Sequence, residues 1–92
     1  MYRIEIIANN SVQDNILEAL QEEGAGKNYT LYTNVLGAGS SGPRMGDAIW
    51  PEENFVLVIW CEKEEAEGLA RAVGGVKERF PGEGIKIFGL PE

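Results

Sequence analysis

The feature that most limits how this chain can fold is a nearly continuous apolar run at residues 54–61 (NFVLVIWC). The run is far too short to cross a membrane as a helix, which takes about 20 apolar residues. Its β-branched and aromatic side chains favour a strand, and the near absence of polar alternation predicts burial on both faces. We therefore expect this segment to be the strongest strand of a sheet.

Three further segments have the composition of strands, namely residues 2–8 (YRIEIIA), 29–36 (YTLYTNVL) and 85–90 (IKIFGL). Two segments have helical periodicity. The first begins at Ser11 as an N-cap, ends at Gly24 as a C-cap, and repeats apolar residues at Val12, Ile16, Leu17 and Leu20. The second spans residues 62–80, with acids at its start and Lys77 and Arg79 at its end, as the helix dipole prefers.

The apolar face of the second helix consists of Ala66, Leu69, Ala70, Val73, Val76 and Phe80. A pair of glycines at its middle weakens the helix by roughly 1 kcal/mol per glycine. The order of segments is strand, helix, strand, strand, helix, strand. This order predicts an α+β, ferredoxin-like βαββαβ sandwich, in which an antiparallel sheet carries both helices on one face. A chain of 92 residues suits one domain, spanning residues 1–92.

The connection between the two middle strands, residues 37–53 (GAGSSGPRMGDAIWPEE), is unusually long. Hairpin loops typically have about 2–5 residues, and long loops within compact domains are often functional. Trp50 either covers the edge of the core or anchors an interface with another subunit or a partner. Arg44 binds an anion, pairs with Asp47 or remains in solvent.

Composition narrows the functional classes. Eight Lys and Arg against fifteen Asp and Glu give a net charge of −7, which argues against nucleic acid and anionic membranes as partners. The chain has no histidine and one cysteine, so the commonest general base and metal ligand are absent. Cys61 is expected to be a packing residue that forms no intrachain disulfide. We predict a cytoplasmic protein with no catalytic or metal site and no membrane insertion.

Two glycine-rich stretches flank strands and are the candidate binding elements. They contain Gly37 and Gly39 after the second strand, and Gly82 and Gly84 before the last. Such stretches are usually only turns, but they also let backbone N–H groups converge on an anion. Lys86 and Arg44 are the candidate cations, and Glu83 either accepts hydrogen bonds from a ribose or base or is solvated.

The chain resembles the PII signal-transduction superfamily over nearly its whole length. The similarity lies in the opening strand and helix (YRIEIIANNSVQDNILEALQEEGAG), in VLGAG at residues 35–39, and in GEGIKIFGLP at residues 82–91. Classical members carry a Gly-Asp-Gly-Lys-Ile-Phe segment, the B-loop, at the last position. Residues 37–53 correspond to the T-loop, which reaches out to target proteins.

The resemblance implies a homotrimer that binds adenine nucleotides in clefts between subunits, formed by the base of the T-loop and the B-loop. This chain departs from the classical pattern in four ways. Its T-loop is shorter, that loop has no tyrosine for uridylylation, Ile85 is inserted before Lys86, and the chain ends at Glu92 without a basic tail. The resemblance implies ADP, AMP or ATP as the effector. Losing the cations of the tail would weaken ATP most, because its charge is greatest, and would leave ADP, AMP or no nucleotide. The shorter loop is similar to that of divergent PII-like proteins, some of which are associated with membrane transporters.

Two hypotheses follow. In the first, a trimeric sensor binds the effector at Gly37, Gly39, Arg44, Gly82, Glu83, Gly84 and Lys86, and controls a transporter or enzyme through residues 37–53. In the second, a trimeric module docks its partner without any ligand. A small hydrolase is disfavoured because no acid–base pair is evident. The related divalent-cation-tolerance family shares the trimeric architecture, but a soft-metal role is disfavoured by the lack of histidine.

Overall fold

The computed structural model of the chain describes residues 1–36 and 53–91. Its strands are β1 (Tyr2–Asn9), β2 (Thr30–Leu36), β3 (Glu53–Cys61) and β4 (Ile85–Phe88). Its helices are α1 (Gln13–Glu23) and α2 (Lys63–Arg79), and a 3-10 turn (Asn10–Val12) precedes α1. The predicted order of elements is therefore confirmed. The boundaries differ by at most two residues, apart from the 3-10 turn at the start of the first helix.

The four strands form one antiparallel sheet in the order β2-β3-β1-β4. The longest pairing joins β1 to β3, with Tyr2 opposite Cys61 and Asn9 opposite Asn54. This is the predicted α+β, ferredoxin-like arrangement with two helices against one face. The long strands β1 and β3 are central, whereas β2 and the short β4 are the edges.

One continuous core lies between the helices and the sheet. Ile4 and Ile6 of β1 alternate with exposed or half-buried neighbours, and Phe55, Leu57 and Ile59 do the same in β3, except that Val58 is also buried. These five side chains are fully buried. The helices contribute a second set of buried side chains, which are Ile16, Leu20, Ala66, Leu69, Ala72, Val73 and Val76.

The prediction that β3 is buried on both faces is wrong for the chain as described. Its helix-facing residues are buried, and Val58 on the opposite face is buried as well, but Trp60 on that face is 57 % exposed and Val56 is half-buried. The helices cover one face only, so apolar residues remain on the other, which we call the open face. The open face consists of the residues that alternate with the core positions, among them Ile7, Tyr32, Val56, Val58, Trp60, Lys86 and Phe88.

The ends of α1 confirm one predicted cap and correct the other. Gly24 adopts a left-handed conformation, with φ of 70°, and its N–H donates to the carbonyls of Gln21 and Leu20. Ser11 is not the N-cap, because it lies within the 3-10 turn and donates its own backbone N–H to Asn9 Oδ1 at 2.8 Å. Asn9 therefore caps this turn, which the helical periodicity of the apolar residues does not reveal.

Helix α2 continues through Gly74 and Gly75 because neighbouring turns supply four buried apolar side chains on its inner face. It is joined to the segment between α1 and β2 through Glu65, whose Oε2 accepts the backbone N–H of Gly26 at 2.9 Å. Gly26 is left-handed and lies against Leu69 and Leu20, where a side chain would be crowded. This contact fixes the segment that connects α1 to β2.

Candidate functional site

The second glycine-rich stretch forms an exposed turn that is held by backbone hydrogen bonds at both ends. The N–H of Glu83 donates to the carbonyl of Phe80 at 3.0 Å, which ties the turn to the end of α2. The N–H of Asn9 donates to the carbonyl of Gly84 at 3.2 Å, which ties it to the end of β1. The turn is thus positioned by the sheet and by a helix, while its outer surface is in solvent.

Within residues 1–36 and 53–91, Gly82 and Gly84 have no steric reason to be glycine. A Cβ added at either position would meet nothing within 4 Å, and neither residue has a positive φ. Gly89 differs sharply, because its φ is +88° and a Cβ there would overlap the carbonyl oxygen of Arg3. The backbone at Gly82 and Gly84 therefore leaves room for something beyond the described residues, such as a ligand or another subunit.

Lys86 lies on the open face of the sheet, next to this turn. It is opposite Ile7 of β1, and its neighbours Ile85 and Ile87 face the helices. Because residues directly opposite one another share a face, one row across the open face runs Lys86, Ile7, Val56, Tyr32. The ammonium group is exposed and ends an otherwise apolar and aromatic row.

The other three predicted site residues, Gly37, Gly39 and Arg44, lie outside the described residues. The strand that leads into them ends at Leu36, at the same end of the sheet as Gly84. A second row shows this arrangement, because Val35 is opposite Asn54, Asn54 is opposite Asn9, and Asn9 is bonded to Gly84. Three strand spacings, about 14 Å in total, separate the end of β2 from the 82–84 turn.

Two asparagines were missed by the sequence reasoning although they lie between the candidate elements. Asn9 bonds the turn through its backbone and caps the 3-10 turn through its side chain. Asn54 is its cross-strand partner and is half-buried. The available signal was the Asn9-Asn10-Ser11 sequence, because these residues favour caps and turns after a strand.

The open face carries an apolar patch that no part of the described chain covers. Trp60, Tyr32 and Phe88 are 57, 55 and 47 % exposed. Arg3 stacks over Trp60 at 5.8 Å from the ring centroid, and its Nη2 donates to Glu5 Oε1 at 2.8 Å. Large aromatic side chains flanked by a paired arginine are typical of protein interfaces.

Cys61 is a packing residue, as predicted. It is 3 % exposed on the helix-covered face of β3. Burial raises the pKa of its thiol above the ordinary 9.0, and the nearby carboxylates of Glu65 and Glu62 raise it further. The thiol is therefore neutral at physiological pH and poorly nucleophilic.

The search for metal sites and membrane spans covers residues 1–36 and 53–91. Within that part of the chain, no three His, Cys, Asp or Glu side chains are grouped so that they could hold a metal ion. The two helices described there are too short or too polar to cross a membrane.

Comparisons with known proteins agree with the fold. The family model for nitrogen regulatory protein P-II matches residues 1–91. Comparison with curated protein sequences gives no match.

Solved structures give three informative matches. CPII from Thiomonas intermedia K12, a nitrogen regulatory PII-like protein bound to ADP, AMP and bicarbonate, is 20 % identical, with a TM-score of 0.70 over 99 % of this chain and 94 % of that chain. A second CPII structure, bound to ADP and bicarbonate, is 21 % identical, with a TM-score of 0.69 over 95 and 80 % of the two chains. A PII-like signalling protein from Thermus thermophilus is 25 % identical, with a TM-score of 0.57 over 95 and 81 %. The family match over nearly the whole sequence shows that this chain belongs to the nitrogen regulatory protein P-II family.

Proposed function

We propose that this chain is a cytoplasmic PII-like regulatory protein that binds an adenine nucleotide between the subunits of a homotrimer. Residues 37–53 act as its T-loop and control a partner protein, either a transporter or an enzyme. One observation carries the proposal. The 82–84 turn is exposed and fixed at the end of the sheet, at the edge opposite the strand that leads into residues 37–39, and no described residue lies within 4 Å of a Cβ added at Gly82 or Gly84.

The separation of the two glycine-rich elements supports a site between subunits. Hydrogen bonds to one phosphate require donors within about 3 Å of its oxygens. The end of β2 and the 82–84 turn are about 14 Å apart across the sheet of one chain. In a closed ring of identical subunits, one edge of each subunit meets the other edge of its neighbour, so β2 of one copy approaches the turn of the next.

The apolar patch on the open face supports the same assembly. A small domain that exposes Trp60, Tyr32 and Phe88 together leaves apolar surface in water that a second copy would bury. Family resemblance implies three copies. The rows across the open face that join the patch to Lys86 support a ligand cleft at the margin of this interface.

The chemistry at the turn favours a phosphorylated ligand. Gly82 and Gly84 offer backbone N–H donors, whereas the N–H of Glu83 is bonded to the Phe80 carbonyl, and the ammonium group of Lys86 supplies a positive charge on the adjoining strand. The related CPII structures are bound to ADP and AMP. ADP and AMP suit a site with one lysine better than ATP does, because their charge is smaller.

Titration calorimetry with ATP, ADP, AMP and cyclic AMP tests the proposal. We expect heat with at least ADP or AMP, and an ADP affinity about tenfold weaker in Lys86→Ala, since a charged hydrogen bond contributes about 1.5–3 kcal/mol. Lys77→Ala is the matched control, because Lys77 is an exposed lysine on α2, away from the open face. Absence of heat with every nucleotide at millimolar concentration would contradict the proposal.

A steric variant separates the role of the turn from that of the charge. Gly84→Val adds a side chain where the chain itself has open space, so the subunit should fold normally. We expect it to lose ADP binding because the added methyl groups occupy the approach to the backbone. Retained affinity in a folded Gly84→Val protein would exclude the turn from the ligand site.

A ligand-independent trimeric module is the competing candidate, and the charge distribution favours it. Among the described residues at this end of the open face, Lys86 is the sole cation. Two acidic residues belong to the elements that meet here, Glu53 at the start of β3 and Glu83 in the turn before β4. Capture of a partner on immobilised protein distinguishes the two functions. Deleting residues 40–49 should abolish capture in both, but only the sensor changes its capture when nucleotide is added.

A further inference from the structure

Strand β2 contains a bulge immediately before the 37–53 segment. Its pairing with β3 is regular from Thr30 to Tyr32 and shifts before Val35. Asn34 has a φ of 56°, and in residues 1–36 and 53–91 no other non-glycine residue has a positive φ. Asparagine is among the few L-residues that adopt this left-handed conformation readily, because its short polar side chain tolerates it.

The bulge fixes which face each later residue of β2 occupies. Tyr32 is opposite Val56 and Val35 is opposite Asn54, so three steps along β2 match two steps along β3. Thr33 and Asn34 together occupy the position opposite Phe55. Without the bulge, Asn34 would face Asn54 and Val35 would face Glu53. Because side chains alternate between faces, every residue after the bulge would then change face.

The location of the bulge indicates a role in the candidate site. Asn34 is exposed, so packing in the core does not require its conformation. Val35 and Leu36 follow it and belong to the end of the sheet that also holds Asn9 and the 82–84 turn. Bulges bend and twist the strand that carries them and are common beside functional sites.

We infer that Asn34 is a positioning residue that sets the register and direction in which β2 ends, and thereby brings Val35 and Leu36 to the end of the sheet that holds the 82–84 turn. The inference rests on the proposed function, since it assigns Asn34 to the geometry of that same site. Asn34 acts through the backbone and not through contact with the ligand. A left-handed residue at position 34 is therefore what matters, and glycine can replace asparagine there.

Four variants test this inference. Asn34→Gly keeps the left-handed conformation accessible. Asn34→Val disfavours it, because β-branched residues rarely have a positive φ. A third variant combines Asn34→Val with deletion of Thr33, which removes the extra residue and restores regular pairing of Val35 with Asn54. Thr30→Val is the control, because Thr30 is an exposed residue of the same strand with regular pairing.

The register is measured by cross-strand proton contacts in NMR spectra, and the affinity by ADP titration. We expect the Val35–Asn54 contact and an affinity within about threefold of the original in Asn34→Gly, in the deletion variant and in the control. In Asn34→Val we expect loss of that contact and about tenfold weaker ADP binding, since the strain of one left-handed residue corresponds to roughly that factor.

Each contrary result has a distinct meaning. An unchanged Val35–Asn54 contact in Asn34→Val overturns the inference whether or not nucleotide binds. Weak binding in the deletion variant, with the contact restored, also overturns it, because the asparagine side chain would then be acting directly. Absence of ADP binding in the unaltered protein contradicts the proposed function, and the NMR contacts still decide whether Asn34 sets the register.

Discussion

The two faces of the sheet differ in how completely the chain covers them. On the helix-covered face, Ile4, Ile6, Phe55, Leu57 and Ile59 are 0 % exposed. On the open face, the aromatic residues Trp60, Tyr32 and Phe88 are about half exposed. Both faces belong to the same strands, and successive residues alternate between them.

This difference separates two tasks that the same strands perform. The covered face supplies the core of one subunit, and its burial is complete within one chain. The open face supplies surface whose burial requires another molecule, and we assign that role to identical subunits. Substitutions on the two faces should therefore have different signatures, which the following predictions use in order of decreasing effect.

Truncation on the covered face should have the largest effect. Leu57→Ala leaves a cavity in the core and is expected to lower the free energy of unfolding by about 2–5 kcal/mol. Val56→Ala is the matched control, because Val56 is the preceding residue and lies half-buried on the open face. Urea denaturation at two protein concentrations should show a concentration-independent loss for Leu57→Ala. For Val56→Ala, the loss should be smaller and should depend on protein concentration.

Gly89→Ala should also destabilise the subunit, because the backbone of this glycine lies close against β1. A Cβ at residue 89 would overlap the carbonyl oxygen of Arg3, and its φ of +88° is unfavourable for alanine. We expect a loss of roughly 2 kcal/mol or more in the free energy of unfolding. Gly74→Ala should raise the free energy of unfolding by about 0.5–1 kcal/mol in the same denaturation experiment. Gly74 lies in α2, and an added Cβ would meet open space. Equal effects of the two substitutions would contradict the close approach of Gly89 to β1.

Trp60→Glu should break the assembly while the subunit remains folded. The indole is exposed in one chain and belongs to the patch that we assign to the interface. A buried charge there would cost about 2 kcal/mol or more of association free energy, as the loss of an interface hot spot does. Sedimentation should show a lower mass with an unchanged circular dichroism spectrum. An unchanged mass would place the interface elsewhere.

The pH dependence contributed by Cys61 should be the smallest effect. Burial raises the pKa of its thiol in the folded state above the ordinary 9.0. Below pH 9 the thiol is protonated in both states and contributes no pH dependence. As pH rises above 9, the unfolded chain ionises first, so the stability of the folded state decreases until the folded-state pKa is passed. Urea denaturation between pH 8 and 10 should show a steeper decline than in Cys61→Ala, and equal slopes would contradict the shift.

Local rules predicted the elements and some of the caps but not the irregular pairing. Gly24 was identified correctly because a left-handed residue at a helix C-terminus has a strong preference for glycine. Ser11 was misassigned because Asn9 offered an equally good cap two residues earlier. The Asn34 bulge was missed, since register depends on the partner strand and leaves little trace in the periodicity of one segment.

The candidate site was only partly predictable for the same reason. The glycines and Lys86 were visible as a pattern, and the described part of the site lies at the end of the sheet, with Lys86 on the open face. The sequence did not show that the two glycine-rich elements lead from opposite edges of the sheet. That separation depends on the strand order β2-β3-β1-β4, which is a property of the whole fold. It also explains why assembly is central to the proposed function.

The mass of the protein in solution tests this account most directly. Sedimentation equilibrium at micromolar concentration, with and without ADP, measures how many chains associate. The account predicts a mass of three times the chain mass of 10.1 kDa, because the open face and the divided ligand site both require neighbouring copies. A mass of one chain under both conditions would contradict it, since no site between subunits could then exist.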